Sequence, residues 1–249
     1  KLLNAIDSIE TMDLGAVQND IFNSVSEALN LKSKAVVYDV TNTYFRGKKC
    51  LLGAKGKSKE NKRNNLLIQI GLAVTKEWGI PLFHKTFKGN IHDSKTFHRL
   101  IDDLKKMKIN NGIMIYDRGV TSGENIKDVS AMNWDTLCGL SLNDSLKKVV
   151  LASQDGLVNI KSRTNLNGNI FYFKKHLYTY DSIEGNLLVC LNEKKRREVR
   201  EERYERLLKI QKQKTPVEKI NEKFKKYFKK NKEIDERKLK ESEIYDGYS

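Results

Sequence analysis

Residues 35–41 read Ala35-Val36-Val37-Tyr38-Asp39-Val40-Thr41. A β-branched, apolar run of this kind is a strand signal, and this one carries a carboxylate. The pattern returns 78 positions later in Ile113-Met114-Ile115-Tyr116-Asp117-Arg118-Gly119. A carboxylate inside or just past a buried strand is costly unless it is paired, hydrogen-bonded or bound to a cation. If the two strands lie side by side in one sheet, their carboxylates come close and repel, and a divalent cation neutralises them. Mg2+ suits such hard oxygen ligands, with Mn2+ as a substitute. Two such ions about 4 Å apart activate water or a 3′-hydroxyl in phosphodiester chemistry. The alternative is that each aspartate only caps a loop, Asp39 the turn before Thr43 and Asp117 the turn at Arg118-Gly119. Spacing alone leaves both readings open.

Outward from these strands the pattern gives an architecture. Residues 66–75 (LLIQIGLAVT) and 80–87 (IPLFHKTF) read as two more strands, separated by Gly79 and Pro81. Links this short predict an antiparallel meander. A helix is expected over 93–107, with Phe97, Leu100, Ile101, Leu104 and Met107 as its apolar stripe and Asp93 as N-cap. Thr121-Ser122-Gly123-Glu124 has the form of a capping box opening a second helix, and a fifth strand is expected near 134–140. The order β-β-β-α-β-α-β predicts a mixed α/β sheet covered by helices.

Three segments follow from this division: a helical segment at 1–31, the α/β core at 32–145, and an insertion at 146–249. The first shows Val17, Ile21, Val25, Ala28 and Leu29 at helical spacing. The third combines strands at 170–179 and 187–192 with a long basic helical stretch, 193–240, interrupted near Pro216. Glu202–Arg206 and Glu205–Lys209 stand at i,i+4 in the favourable order, and Val217, Ile220, Phe224 and Phe228 form a stripe that must bury against something.

The 249 residues hold 47 Lys+Arg against 32 Asp+Glu, a net charge of +15 with a pI near 9.5. The stretch 193–240 holds 20 basic and 10 acidic residues, so two thirds of the surplus sits there. Such a surplus points to nucleic acid as partner; the bland reading of the same stretch is a solvated helical hairpin. No apolar run approaches the roughly 18 residues a bilayer span needs. Cys50, Cys138 and Cys190 are far apart, which suits a reducing cytosol, and the four histidines show no metal-ligand spacing. Gly53-Ala54-Lys55-Gly56-Lys57-Ser58 ends like a phosphate loop, but position 51 is Leu and a strand follows, so a basic loop is the better reading. The chain opens Lys1-Leu2-Leu3-Asn4 with neither a Met nor a signal peptide, and a piece of a longer protein is expected.

The motifs also carry a resemblance. Tyr38-Asp39-Val40-Thr41 after a strand resembles the first Asp motif of the DDE transposases of bacterial insertion sequences, of the family-four type. Gly71-Leu72-Ala73-Val74, then Gly79-Ile80-Pro81-Leu82, resembles that family's strand-turn-strand. The segment Phe87-Lys88-Gly89-Asn90-Ile91-His92-Asp93-Ser94-Lys95-Thr96 resembles its G-N-x-x-D-x-x-T motif. Ile115-Tyr116-Asp117-Arg118-Gly119, followed by a Ser and a Glu-Asn pair, resembles its second Asp motif. The likeness covers residues 35–140 in order, and the basic stretch after 145 is similar to the insertion such enzymes carry.

The resemblance implies an RNase H-like core in which two aspartates and a glutamate hold two Mg2+ ions. Such enzymes hydrolyse transposon ends and join the freed 3′-hydroxyl to target DNA, as dimers bridging double-stranded DNA. On this chain Asp39 and Asp117 would be the catalytic and metal-holding aspartates. Thr41, Lys88, Asn90 and Arg118 are candidate DNA contacts, as are Lys223, Lys225, Lys226, Lys229 and Lys230 in the basic stretch. The expected location is the cytoplasm, at the nucleoid.

The third carboxylate departs from the family. Its Y-x2-R-x3-E-x6-K pattern is not found: Tyr204 is followed by Leu207 at the Arg position, and Tyr227 by Lys230 with Ile234 at the Glu position. Asp246-Gly247-Tyr248-Ser249 resembles the strand before that helix, so the Glu helix is expected beyond residue 249, and little activity from this chain alone. Glu124 is an in-chain substitute, better explained by the capping box. Other readings are a catalytically dead DNA-binding remnant, an RNase H-like nuclease without a joining step, and a structural basic protein.

Overall fold

The computed structural model describes residues 4, 7–9, 11–31, 34–47, 49–56, 65–106, 112–213, 215–216, 219–229 and 231–248. Met107, Val217, Lys230 and residues 57–64, part of the expected basic loop, lie outside this set. The chain divides into two compact units, 1–140 and 141–249.

The first unit runs α1 (Leu14–Ala28), β1 (Ala35–Phe45), β2 (Leu66–Thr75), β3 (Pro81–Lys88), α2 (Asp93–Lys106), β4 (Ile113–Tyr116), α3 (Gly123–Ala131) and β5 (Asp135–Cys138). Its five strands are ordered β3-β2-β1-β4-β5. β1, β2 and β3 form the antiparallel meander, while β4 lies parallel to β1 and β5 parallel to β4. This mixed sheet, with its parallel half reached through helices, is the RNase H-like fold.

The core lies on one face of the sheet. Val36, Tyr38 and Val40 of β1 and Met114 and Tyr116 of β4 meet Phe97, Leu100, Ile101 and Leu104 of α2, all buried. The Phe97 ring centroid is 5.7 Å from that of Tyr38, edge-on, and 4.8 Å from that of Tyr116, tilted. Gly71 on β2 makes room for this arrangement, since a Cβ there would collide with the Tyr38 hydroxyl.

Several local expectations are corrected. β1 continues to Phe45, because Thr41, Thr43, Tyr44 and Phe45 are good strand formers that pair with 66–70 of β2. Helix α3 is capped by Ser122, whose hydroxyl accepts from Asn125 N at 3.1 Å. The Thr121 hydroxyl donates instead to the Gly139 carbonyl at 2.8 Å. α2 begins at Asp93 itself, whose carboxylate accepts from Gln69 Nε2 at 3.2 Å.

The second unit runs α4 (Asp144–Gln154), β6 (Arg163–Leu166), β7 (Asn169–Tyr180), β8 (Ile183–Asn192), α5 (Glu193–Lys212), α6 (Glu222–Lys225) and α7 (Glu236–Glu243). The strands form a separate sheet, β6-β7-β8. The β7–β8 turn is two residues, Asp181 and Ser182, both at positive φ (52° and 68°), the geometry of a tight hairpin turn.

The long helical stretch is continuously helical only in its first half; its second half holds two short helices, α6 and α7. After α5 the chain makes the single helical turn α6 and a bridge between Phe228 and Ile234. Ile220, Phe224, Tyr227 and Phe228 bury against Leu207 of α5. The aromatic residues at helical spacing are therefore gathered by the short helix α6 and the turn after it, and the described residues of 213–235 form no second long helix. Neither Glu202–Arg206 nor Glu205–Lys209 is among the ion pairs of the described residues. Arg203 instead reaches Asp246, with Nη1 donating to Oδ2 at 2.8 Å. Among the described residues, no helix is long and apolar enough to cross a membrane.

Candidate active site

β1 and β4 bring Asp39 and Asp117 together. The parallel register pairs Val37 with Ile115 and Tyr38 with Tyr116, so the next positions along both strands are 39 and 117. Neighbouring strands run about 4.8 Å apart, and side chains alternate between faces. Val36, Tyr38 and Val40 point into the core, as do Met114 and Tyr116. Asp39 is thereby turned to the opposite face; Asp117 follows one residue past β4, and both are exposed.

This differs from the expectation in one physical respect. Asp39 lies in the middle of an eleven-residue strand and not at its end, and neither carboxylate is buried. Both carboxylates keep their hydration, so no desolvation cost arises. Each carboxylate accepts a bond from the next backbone N–H, Asp39 Oδ1 from Val40 at 2.8 Å and Asp117 Oδ1 from Arg118 at 2.7 Å. Neither has an ion-pair partner among the described residues. Two adjacent carboxylates are a donor set suited to a hard divalent ion. Among the described residues, no group of three or more His, Cys, Asp or Glu side chains is arranged to hold a metal ion. Glu124 is not placed with the pair: its Oε2 lies 3.5 Å from His98 Nε2.

The other sequence-derived positions fall into two groups. In the first unit, Thr41 is exposed on β1, two residues beyond Asp39 and on the same face. Lys88 pairs with Ile68, which pairs with Thr43, so Lys88 shares that face at the end of β3. At ordinary sheet spacings it stands roughly 16 Å from Asp39. Asn90 is exposed in the turn after β3, and Arg118 is exposed beside Asp117. In the second unit, Lys223, Lys226 and Lys229 are exposed. Lys223 Nζ lies 5.4 Å from the Phe224 ring centroid and Lys226 Nζ 4.9 Å from that of Tyr227. Lys225 is half-buried and paired with Glu222 at 3.1 Å. Lys230 lies outside the described residues.

Beneath Asp39 runs a polar layer whose members, Tyr38, Thr96 and Asn125, stand within the quoted motifs but carried no expected role. Tyr38 Oη and Thr96 Oγ1 are 2.8 Å apart, and Thr96 Oγ1 donates to the Asp93 carbonyl at 2.6 Å. Burial, reinforced by the nearby Asp93 and Asp39 charges, pushes the Tyr38 hydroxyl up to about 12, against the opposing Thr96 bond. Asn125 Nδ2 donates to the carbonyls of Val120 at 2.5 Å and Ser94 at 3.1 Å. The available signal was helical periodicity: Thr96 and Asn125 each stand four residues before a buried apolar residue, Leu100 and Val129.

Comparison with solved structures gives low-identity likenesses. The chain is similar to Mos1 transposase in a paired-end complex with the left transposon end, at 12% identity over 56% of this chain and 53% of that one, with a TM-score of 0.31. For piggyBac transposase in a synaptic complex with hairpin DNA the values are 13%, 72%, 40% and 0.38. For the catalytic domain of Mos1 mariner transposase they are 12%, 59%, 70% and 0.31. The chain thus spans about half the length of the Mos1 chain in the paired-end complex. No curated protein sequence matches it. The model of the transposase DDE domain, however, matches residues 31–242, from just before β1 to within α7, and the chain belongs to that family.

Proposed function

We propose that this chain carries the catalytic core of a transposase that cuts transposon ends and joins the freed 3′-hydroxyl to target DNA, with Asp39 and Asp117 holding Mg2+ or Mn2+. The observation that supports this reading is the parallel register of β1 and β4, which ends at Tyr38 beside Tyr116, one residue before each of two exposed aspartates. When bound, such an ion stabilises charge on the attacking and leaving oxygens of a phosphodiester. The chain's own residues would hold and orient. Asp39 is fixed inside β1 by its pairing with Leu72 of β2. Arg118, next to Asp117, offers a guanidinium to a phosphate oxygen, and Thr41 a hydroxyl. Lys88 and Asn90 extend the DNA-facing surface along the same sheet. The basic lysines of 223–230 supply sequence-independent attraction to duplex DNA. Paired copies on the DNA, at the nucleoid, complete the proposal.

Two carboxylates hold a divalent ion weakly, and a third ligand is needed for full activity. Residues 1–249 alone are therefore expected to cut poorly. The absence of a third converging carboxylate among the described residues favours a second reading, a DNA-binding remnant.

The test uses a labelled transposon-end duplex with Mg2+ or Mn2+ and the protein as encoded, alongside Asp39→Asn and Asp117→Asn. Each substitution is expected to abolish cleavage while DNA affinity holds. A variant that still cuts normally removes the site assignment. A wild-type protein that binds but never cuts supports the remnant. Pre-cut 3′-hydroxyl ends that are never joined point to a nuclease without strand transfer.

A further inference from the structure

Asp117 differs from Asp39 in one structural respect. Asp39 is held inside β1 by its pairing with Leu72 of β2, whereas Asp117 stands one residue past the end of β4, where ladder pairing has stopped. Something else must fix its direction. The Asp117 carbonyl accepts from Val120 N at 3.0 Å, closing the turn 117–120. The Val120 carbonyl in turn accepts from Asn125 Nδ2 at 2.5 Å, and the same amide nitrogen donates to the Ser94 carbonyl at 3.1 Å. Asn125 is 1% exposed. One side-chain amide thus spends both its protons tying the Asp117 turn to the first turn of α2.

We infer that Asn125 is a positioning residue for the Asp117 carboxylate: its two donated bonds fix the 117–120 turn and so the aim of Asp117 beside Asp39. The inference rests on the reading that these aspartates hold a divalent cation. No other uncharged side chain of similar size supplies two protons from one short stem. An aspartate of the same shape would set a carboxylate against two carbonyl oxygens in a dry site, and alanine would leave both carbonyls without this donor. Partners that orient a ligand without touching the ion commonly change metal affinity by about 10- to 100-fold when removed.

The test measures Mn2+ binding by electron paramagnetic resonance, with Mn2+ alone and no DNA, at a temperature where circular dichroism shows each variant folded. Asn125→Ala is expected to weaken Mn2+ binding about tenfold or more. Asn125→Asp, where it folds, should weaken it further. Val129→Ala, a cavity on the same helix at a fully buried position, is the control: its melting temperature should fall with Mn2+ affinity within about twofold of wild type. Wild-type affinity in Asn125→Ala, or an equal loss in Val129→Ala, overturns the positioning role. If Asp117→Asn and Asp39→Asn themselves bind Mn2+ as wild type does, the cation reading fails first. If they lose affinity and Asn125→Ala does not, only the present inference fails.

Discussion

The hydroxyls of Tyr38 and Thr96 stand 2.8 Å apart, joining the strand that bears Asp39 to the helix packed beneath it. Tyr38 is 2% exposed and Thr96 is fully buried. Residue 38 points inward and residue 39 outward by strand alternation, so the core contact of one side chain sets the backbone from which the next projects. The packing of α2 against β1 is in this way also the foundation of the carboxylate pair.

This contact has a pH dependence. The neutral Tyr38 hydroxyl is the form the fold holds, and burial lifts its pKa from an ordinary 10 to about 12. A raised folded-state value means the stabilisation is complete below pH 10 and is lost as pH climbs through 12. The interval corresponds to about 2–3 kcal/mol at most. Urea unfolding followed by tryptophan emission, with Trp134 in the same core, should show wild type losing about that much more than Tyr38→Phe between pH 9 and 12. Equal losses in the two proteins would remove Tyr38 as the cause.

Gly71→Ala should destabilise by about 1–3 kcal/mol, the usual range for overpacking, because the added Cβ meets the Tyr38 hydroxyl. Tyr38→Phe removes the oxygen of that clash and leaves ring carbons 3.1 Å from the Cβ position. The double variant should therefore recover part of the loss, and a double-mutant cycle should give a coupling of at least about 0.5 kcal/mol. Strict additivity would show that the clash is relieved elsewhere.

The first unit was largely legible because its elements are locally marked. Apolar runs bounded by Gly79, Pro81 and Gly119 announced the strands, and Phe97, Leu100, Ile101 and Leu104 announced α2. The parallel register of β1 and β4 is a different kind of fact, set by packing at long range, and no pattern in either strand states it. The second unit was less legible. α4 opens with Asn143 as its cap and buries Leu146, Val150 and Ser153, a stripe diluted by a serine and two lysines. The β7–β8 turn uses Asp181 and Ser182 at positive φ where glycine would have signalled it. The 213–235 segment spaces its aromatic residues like a helix yet buries them from the short helix α6 and the turn after it, since tertiary contact with Leu207 outweighs local propensity.

Asp246 anchors the end of the second unit. Its side chain is 5% exposed and accepts from both Nη atoms of Arg203, which is itself 10% exposed, and from Arg200 Nε at 3.4 Å. The Asp246 hydrogen bond is the main cause that raises the Arg203 guanidinium above its ordinary value. Asp246→Ala leaves that guanidinium buried without its carboxylate, a loss of about 3–5 kcal/mol. Both tryptophans, Trp78 and Trp134, lie in the first unit, so emission does not report this change. Hydrogen exchange in peptides covering 193–212 and 236–248 should accelerate by about a hundredfold or more. Replacing the pair together, as Arg203→Met with Asp246→Leu, should recover much of the protection. Unchanged exchange in Asp246→Ala would show that the pair contributes nothing.

The lysines of the second unit give the most direct measure of DNA contact. Lys223, Lys226 and Lys229 are exposed, and the first two lie against aromatic rings that limit their freedom. A lysine held near its bound position loses less entropy on meeting a phosphate. Each phosphate contact contributes about 0.9 to the slope of log affinity against log salt for duplex DNA. Neutralising all three to Gln should lower the slope by about 2–3, with a uniform loss of affinity across DNA sequences. Lys225 is held by Glu222 at 3.1 Å, so Lys225→Gln should change the slope by clearly less than one of the free lysines does. A triple variant whose slope matches wild type would make this face a solvated surface. An equal effect at Lys225 would mean that its ion pair opens on DNA.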